Sequence, residues 1–385
     1  MVSRSLKIGT AVLAALVAFG TAGRAQVTGP TVHQFETNNT AYGTTAAEFL
    51  LIPATARGAA LGGSFAALTN DLGAMHYNPA GLALLERPGV LATNINYVAD
   101  TRYNFGGFAV PFAGGSKAVG FAITSFGFSN QPVYTVEDPQ GTSGQVYGVA
   151  ETAISGTYAQ QFSDRFSAGL TAKYVSDRLG DVAGAAFAID FGTNFHSMIG
   201  GRPIRAAFVI SNLGSNLRHR GSPLDVLVLR QPPAGEQQVP QEPARAQLET
   251  KDWSLPVSFR VAVAYDAFAT SASRLTLLGE FSQPNNSEPG FSLASEYNVG
   301  LGRSGFALAG RLGMTYAADD NMTVPAAGSD AYSGFDSGLK GSQYRMSYGG
   351  GLKYARGGFG VGFDYAYRDY GLLGGVNMLG LSLNW

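Results

Sequence analysis

Four histidines, His33, His76, His196 and His219, are the first residues to consider for proton transfer or metal ligation. None has the spacing of a ligand pair, such as two histidines four apart around a glutamate on one helix face. The pattern puts His33 in an N-terminal arm, His76 in a non-strand segment, and His196 and His219 in turns or loops. A barrel hydrolase needs histidine and serine on neighbouring strands facing one way, and this placement denies it. The chain has no cysteine, which removes disulfides and thiolate metal sites. Carboxylates on strands have basic residues nearby, so no isolated acid–base pair stands out. Gly62-Gly63 is not followed by Gly-Lys-Ser/Thr, and close packing accounts for it better than a phosphate loop. The expectation is a non-enzyme with no cofactor and no metal.

The remaining charges acquire a pattern once the elements that carry them are considered. From Arg165 to Val175, apolar Phe166, Ala168, Leu170, Ala172 and Tyr174 alternate with Ser167, Gly169, Thr171 and Lys173. Period-two alternation marks a half-buried strand. It recurs over 89–98, 102–112, 117–128, 149–162, 165–176, 183–196, 204–213, 254–267, 273–283, 290–301, 305–317, 342–355, 358–369 and 374–385. The second is the weakest, because Pro111 and Phe112 blur its parity. Most of these exceed the about 5–6 residues of an ordinary strand and suit the roughly 9–11 that cross a bilayer at a tilt. The final one, through Met378 to Trp385, sets an aromatic side chain where a barrel meets the lipid boundary.

One register leaves an outer face almost free of charge. The other face collects Lys173, Arg260, Arg311, Arg345, Lys353 and Arg368 with Asp190, Asp266, Glu280, Glu296 and Asp364. These side chains would line a charged permeation path or form an ion-pair network that fills the lumen. Their near-cancelling signs favour the network.

Composition agrees with a membrane barrel. Charged residues make up 14% of the chain, against about 25% in globular proteins. No long apolar run offers a helical span, and a slightly acidic net charge of −1 argues against nucleic acid. Arg4 and Lys7, the apolar run Ile8 to Phe19 and Gly23-Arg24-Ala25 predict a secretory signal over 1–25. A loose arm follows over 26–45, then a plug over 46–87 that cannot face lipid with unpaired backbone groups, then a barrel over 88–385. Within the plug, Arg57 to Leu68 reads as potentially helical, and Asn78-Pro79-Ala80-Gly81 as a turn. That turn is either a rigid stop or a hatch whose movement gates the lumen.

Long connections at 129–148, 214–253 and 318–341 all fall on one side of the predicted sheet. Tight links such as Ser163-Asp164, Gly302 to Ser304 and Arg356-Gly357 fall on the other, as in bacterial outer-membrane barrels. The 214–253 loop carries Pro223, Pro232, Pro233, Pro240 and Pro243, which should stop it pairing as a strand. Its Arg218, Arg220, Arg230 and Arg245 make it a candidate docking surface for a partner.

The run Phe49-Leu-Leu-Ile-Pro-Ala-Thr-Ala-Arg57-Gly-Ala-Ala-Leu-Gly-Gly-Ser-Phe-Ala-Ala-Leu68 is followed by Asn70-Asp71 and Tyr77-Asn78-Pro79-Ala80-Gly81-Leu82. It resembles the N-terminal signature of the PorV/PorQ family, relatives of the FadL-type barrels. The resemblance implies a fourteen-stranded antiparallel outer-membrane barrel with an N-terminal hatch, in a Gram-negative-type bacterium. It further implies a type IX secretion component, acting as a cargo shuttle or as an attachment subunit. Partners would then be outer-membrane lipid, secreted cargo and secretion-complex subunits. FadL-like relatives imply the alternative, transport of hydrophobic small molecules through the barrel wall.

Overall fold

The computed structural model describes residue 41 and residues 43–228, 243–317 and 344–385. The segment read as a secretory signal, Arg230, Pro232, Pro233, Pro240 and the connection 318–341 therefore lie outside the described residues.

Fourteen antiparallel strands close on themselves. In chain order they are β1 Gly89–Asn96, β2 Arg102–Phe112, β3 Lys117–Pro132, β4 Val146–Ser163, β5 Phe166–Leu179, β6 Val182–Ile199 and β7 Arg202–Gly214. After the long loop come β8 Ser258–Ala269, β9 Ser273–Pro284, β10 Gly290–Gly300, β11 Phe306–Ala317, β12 Tyr344–Arg356, β13 Phe359–Asp369 and β14 Gly375–Asn384. Each pairs with its sequence neighbours, and β1 closes the ring on β14 through Gly89 opposite Asn384 and Ile95 opposite Met378. The ring of fourteen strands itself has no open edge. The weakly patterned 102–112 is a strand over that whole range, with Pro111 opposite Ala118.

Alternation separates two environments. Phe121, Phe187 and Leu312 are 54%, 67% and 58% exposed, whereas Thr171, Asp190 and Glu296 are at most 1% exposed. An exposed apolar belt around a charged interior is the inverse of a water-soluble protein and fits lipid outside. Aromatic pairs ring both ends of the belt. Phe306 and Tyr354 (4.7 Å) and Phe108 and Trp385 (6.4 Å) lie near the short turns, and Tyr316 and Tyr344 (5.4 Å) near the long loops. This is the closed fourteen-stranded antiparallel barrel of an outer-membrane protein.

Residues 43–87 run down the inside. Ala46 N–H donates to Ser254 O at 2.9 Å near the long-loop end, and Arg87 Nη1 donates to Gly358 O at 2.8 Å in a short turn at the other. Two short α-helices, α1 Ala56–Ala60 and α2 Ala74–Tyr77, and two 3-10 turns, Glu48–Leu51 and Pro79–Leu84, form there. The helix expected over Arg57 to Leu68 stops early because Gly62 and Gly63 take φ of 65° and 85°, a left-handed conformation that ends α1.

Three other expectations change. His196 is not in a turn but near the end of β6. The 214–253 loop does pair: Asp225–Val228 joins Ala244–Gln247, and His219–Gly221 adds to β6. Pro223 sits in the 3-10 turn Ser222–Leu224, outside either ladder, so it costs no hydrogen bond. The strand expected at 254 begins at Ser258, since Pro256 has no N–H to donate.

Candidate functional site

The inner segment is fastened by ion pairs to one side of the wall. Arg57 on α1 sends Nε to Glu296 Oε2 and Nη2 to Glu296 Oε1, both at 2.8 Å, while its Nη1 reaches Asp71 Oδ2 at 2.7 Å. Glu296 on β10 also accepts from Arg311 Nε at 2.7 Å, and Arg311 Nη1 reaches Asp364 Oδ1 at 2.6 Å. The bidentate geometry uses the flat guanidinium fork, which a lysine could not reproduce. Thr55 caps α1 by accepting from Gly58 N–H at 3.1 Å, and so sets the direction in which Arg57 leaves the helix.

The turn at Asn78 docks on the opposite wall. Asn78 Oδ1 accepts from Ala80 N–H at 3.1 Å, and Nδ2 donates to Ala66 O at 2.8 Å and to Thr193 O on β6 at 3.2 Å. Ser167 Oγ donates to Ala80 O at 3.2 Å. The wall is flat here because β6 carries Gly192, where a Cβ would lie 2.1 Å from Asn78 Oδ1. Gly81 is equally confined, with a Cβ position 2.2 Å from Thr69 Oγ1. Asn78, Pro79, Ala80 and Gly81 are all buried, and Pro79 opens the 3-10 turn Pro79–Leu84.

Between these anchors an apolar layer crosses the lumen. Leu61, Phe65 and Tyr77 pack with Ala207, Val209, Ala262, Ala264 and Leu278 of β7 to β9, and Phe65 meets Tyr77 edge-on at 5.1 Å. Cavities lie on both sides. Toward the long loops, a chamber of about 210 Å³ is lined by Lys173, Arg260, Arg368, Glu280, His76 and Phe291, among others. Toward the short turns, a cavity of about 780 Å³ contains Leu68, Asn70, His196, Arg205, Asp266 and Arg274.

The inward charges make local contacts. Lys173 Nζ lies 2.7 Å from Asp190 Oδ2 and donates to Asn212 Oδ1 at 2.7 Å. Asn212 occupies a break in the β6–β7 register with φ of 61°, and its N–H donates to Asp190 Oδ1 at 2.8 Å. Arg260 Nη2 donates to Tyr77 O at 2.6 Å, and its Nη1 stands 3.8 Å from Glu280 Oε1. Asp266 pairs with Arg205 and lies 3.6 Å from Arg274. Arg368 lies over the Tyr370 ring at 5.4 Å. Arg345 sits near Gly371, whose Cβ position is 3.6 Å from Arg345 Nε, and Lys353 is exposed on β12. Among the described residues, these contacts group the lumen charges locally around Glu296, Asp190, Asp266 and Glu280.

Several members were not anticipated. Arg205 and Asp177 share the inward parity of Val209 and Lys173, so strand alternation could have found them. Asp177 Oδ2 lies 3.0 Å from His219 Nε2, which folds the long loop inward. Arg57 and Asp71 lie on a segment without period, and no pattern marked them. In the loop, Arg218 is committed to Asp252 (2.6 Å) and to Glu249, while Arg220 and Arg245 are exposed. Among the described residues, no group of three or more His, Cys, Asp or Glu could hold a metal.

The outer face has a shallow groove of about 520 Å³ over Ala92, Gly106, Ile123, Phe363, Leu379 and Leu381. Small Ala92 and Gly106 leave the wall thin there, yet β1 remains fully paired to β2 and β14.

No family model and no curated protein matches the sequence. Among solved structures, the chain is similar to CymD, a monoaromatic hydrocarbon channel, with 13% identity and a TM-score of 0.52 over 87% of this chain and 97% of that one. It is also similar to the Ralstonia pickettii toluene transporter TbuX, with 12% identity and a TM-score of 0.47 over 86% and 97%. A Pseudomonas aeruginosa FadL homologue matches with 10% identity and a TM-score of 0.46 over 86% and 98%. The likeness to CymD is one of fold.

Proposed function

We propose that this barrel passes a small, largely apolar molecule across the outer membrane, with residues 43–87 as its gate. The observation that carries this reading is the division of a closed barrel into two chambers by one apolar layer, in which Leu61, Phe65 and Tyr77 of a segment that is not part of the wall pack against β7 to β9. A purely structural anchor has no need of cavities on both sides of a removable partition. The fold shared with a hydrocarbon channel supports the same reading.

A secretion or attachment subunit rests on the residues from Phe49 to Leu82. Those residues build the α1 latch and the Asn78 turn, which a gated channel needs equally, so they do not favour secretion over transport. The test is uptake of toluene into liposomes containing the purified full-length barrel. Influx above that of protein-free liposomes, raised further by Arg57→Ala, is expected. Influx equal to protein-free liposomes for both proteins would overturn the proposal.

A further inference from the structure

The chain that leaves β7 does not stand clear of the barrel. Residues 215–221 turn back along β6 and cover its edge beyond the point where β7 departs. Ser215 N–H donates to Phe187 O at 2.9 Å, and Ser215 Oγ accepts from Phe187 N–H at 3.0 Å. His219 to Gly221 then pairs with Val182 to Gly184. Between these contacts Leu217 is fully enclosed, in the same apolar cluster as Ala47, Phe49 and Leu50 of the inner segment. It lies flush on β6 because Gly184 has no side chain: a Cβ there would be 2.6 Å from Leu217 Cδ2 and 2.9 Å from Arg218 O.

One side-chain contact pins this stretch to the wall. His219 Nε2 lies 3.0 Å from Asp177 Oδ2 on β5, with the two side chains 12% and 5% exposed. Asp177 Oδ1 has no partner among the described residues, so the enclosed carboxylate depends on the imidazole. Glu151 stands directly opposite Asp177 in the β4–β5 pairing, and like charges so placed repel. The same stretch is joined to the returning chain and, through it, to the inner segment. Thr250 Oγ1 accepts from His219 N–H at 3.1 Å, and Leu217 and Trp253 exchange both backbone hydrogen bonds, at 2.7 and 2.9 Å. The next residue, Ser254, pairs with Thr45 and accepts from Ala46 N–H.

We propose that residues 215–221 are a strap that holds the inner segment shut, released when His219 leaves Asp177. Lifting Leu217 either breaks its two bonds to Trp253 or carries Trp253 with it. In both cases Ser254 loses the position in which it receives Ala46, and the cluster around Phe49 and Leu50 loses a member. The mouth and the inner segment therefore open as one unit. The inference rests on the channel reading in that the inner segment is the gate, but the coupling itself needs no solute.

Amide exchange of the purified full-length barrel, read by mass spectrometry, tests the strap apart from transport. Ala183 and Arg220 lie opposite one another, and the chain has no cysteine of its own. Ala183→Cys with Arg220→Cys therefore gives a disulfide that locks the strap and is undone by reductant, since paired strands bring Cα atoms within its reach. Exchange over residues 46–60 should be slower in the oxidised form than in the reduced form. His219→Ala should speed it at least about tenfold, as expected for one hydrogen bond to a charged group. Exchange in β13, on the far side of the ring, should not change in either comparison. If His219→Ala does not fold, the oxidised and reduced forms of the one protein decide alone. Equal exchange over 46–60 in those two forms would overturn the strap, as would an equal change in β13. Coupled exchange without toluene uptake would remove the channel and leave the strap. Uptake with uncoupled exchange would do the reverse.

Discussion

Arg57 and Glu296 are joined by two parallel hydrogen bonds of 2.8 Å, linking the inner segment to β10 across 239 residues of sequence. Both side chains are almost fully enclosed, at 9% and 2% exposed. A buried pair of this kind contributes little net stability over an apolar alternative, but breaking it leaves a charge stranded. Arg57→Ala leaves Glu296 paired with Arg311, whereas Glu296→Ala leaves two guanidinium groups facing each other. The second should therefore be the worse change, costing about 3–5 kcal/mol against a smaller loss for the first. Both should raise single-channel conductance in planar bilayers. Equal conductance in wild type and both variants would show that the pair does not hold the partition in place.

The Asn78 turn makes a different kind of attachment, one of shape. Gly192→Val puts a branched side chain into the position of Asn78 Oδ1, which is 2.1 Å from the Cβ site, and the turn must lift off the wall. The chain has no cysteine, so Ser64→Cys gives a single reporter beside the apolar layer, where Ser64 is 1% exposed. Maleimide labelling should be slow in Ser64→Cys alone and at least about tenfold faster when Gly192→Val is added. That fold-change corresponds to an opening made roughly 1.4 kcal/mol easier. Unchanged labelling would mean the turn is not what seats the segment.

Strands were legible because their signal is periodic and each outward side chain faces lipid whatever its sequence neighbours. Residues 102–112 show how robust this is: Pro111 blurs the parity, yet a closed ring leaves that stretch nowhere else to go. The lumen charges Lys173, Asp190, Glu280, Glu296 and Arg311 followed from the same alternation. Arg57 did not, because α1 is too short to show a period and its partner lies on a distant strand. Asn212 was equally hidden. Its left-handed φ depends on Asp190 accepting its N–H, a tertiary contact that no local propensity encodes. His196, the last residue of the expected strand 183–196 and read as a turn residue, lies inside β6 because pairing with β7 carries that strand on to Ile199.

In the loop after β3, Asp138 accepts from Thr142 N–H at 3.0 Å and Ser143 N–H at 2.7 Å. Those backbone donors, Thr142 foremost, hold its carboxyl at about 2, below the ordinary 3.8. A depressed acid stabilises the turn fully above its ordinary value and loses that contribution as pH falls through about 2. Amide exchange at Thr142 and Ser143 should stay slow down to pH 4, relative to the intrinsic rate, and lose protection near pH 2. In Asp138→Asn the protection should be weaker and independent of pH over that range. A protection loss centred near 4 in the wild type would contradict the two-donor geometry.

Lys173, Asp190 and Asn212 test whether the register break in the wall is held by charge. Lys173→Met leaves Asp190 buried with only the Asn212 N–H to satisfy it, and about 3–5 kcal/mol of destabilisation is expected from the stranded carboxylate. Asp190→Asn removes the charge but keeps an acceptor for Asn212 N–H, so it should cost less and leave Lys173 with Asn212 Oδ1. Combining the two eliminates both charges, and the double variant should recover much of the loss seen in Lys173→Met. A coupling of about 1–3 kcal/mol in a urea-unfolding cycle in lipid vesicles is the expected result. Additive losses would mean that the chain holds Asn212 in its left-handed conformation without help from the ion pair, and that Lys173 faces the chamber for its own sake.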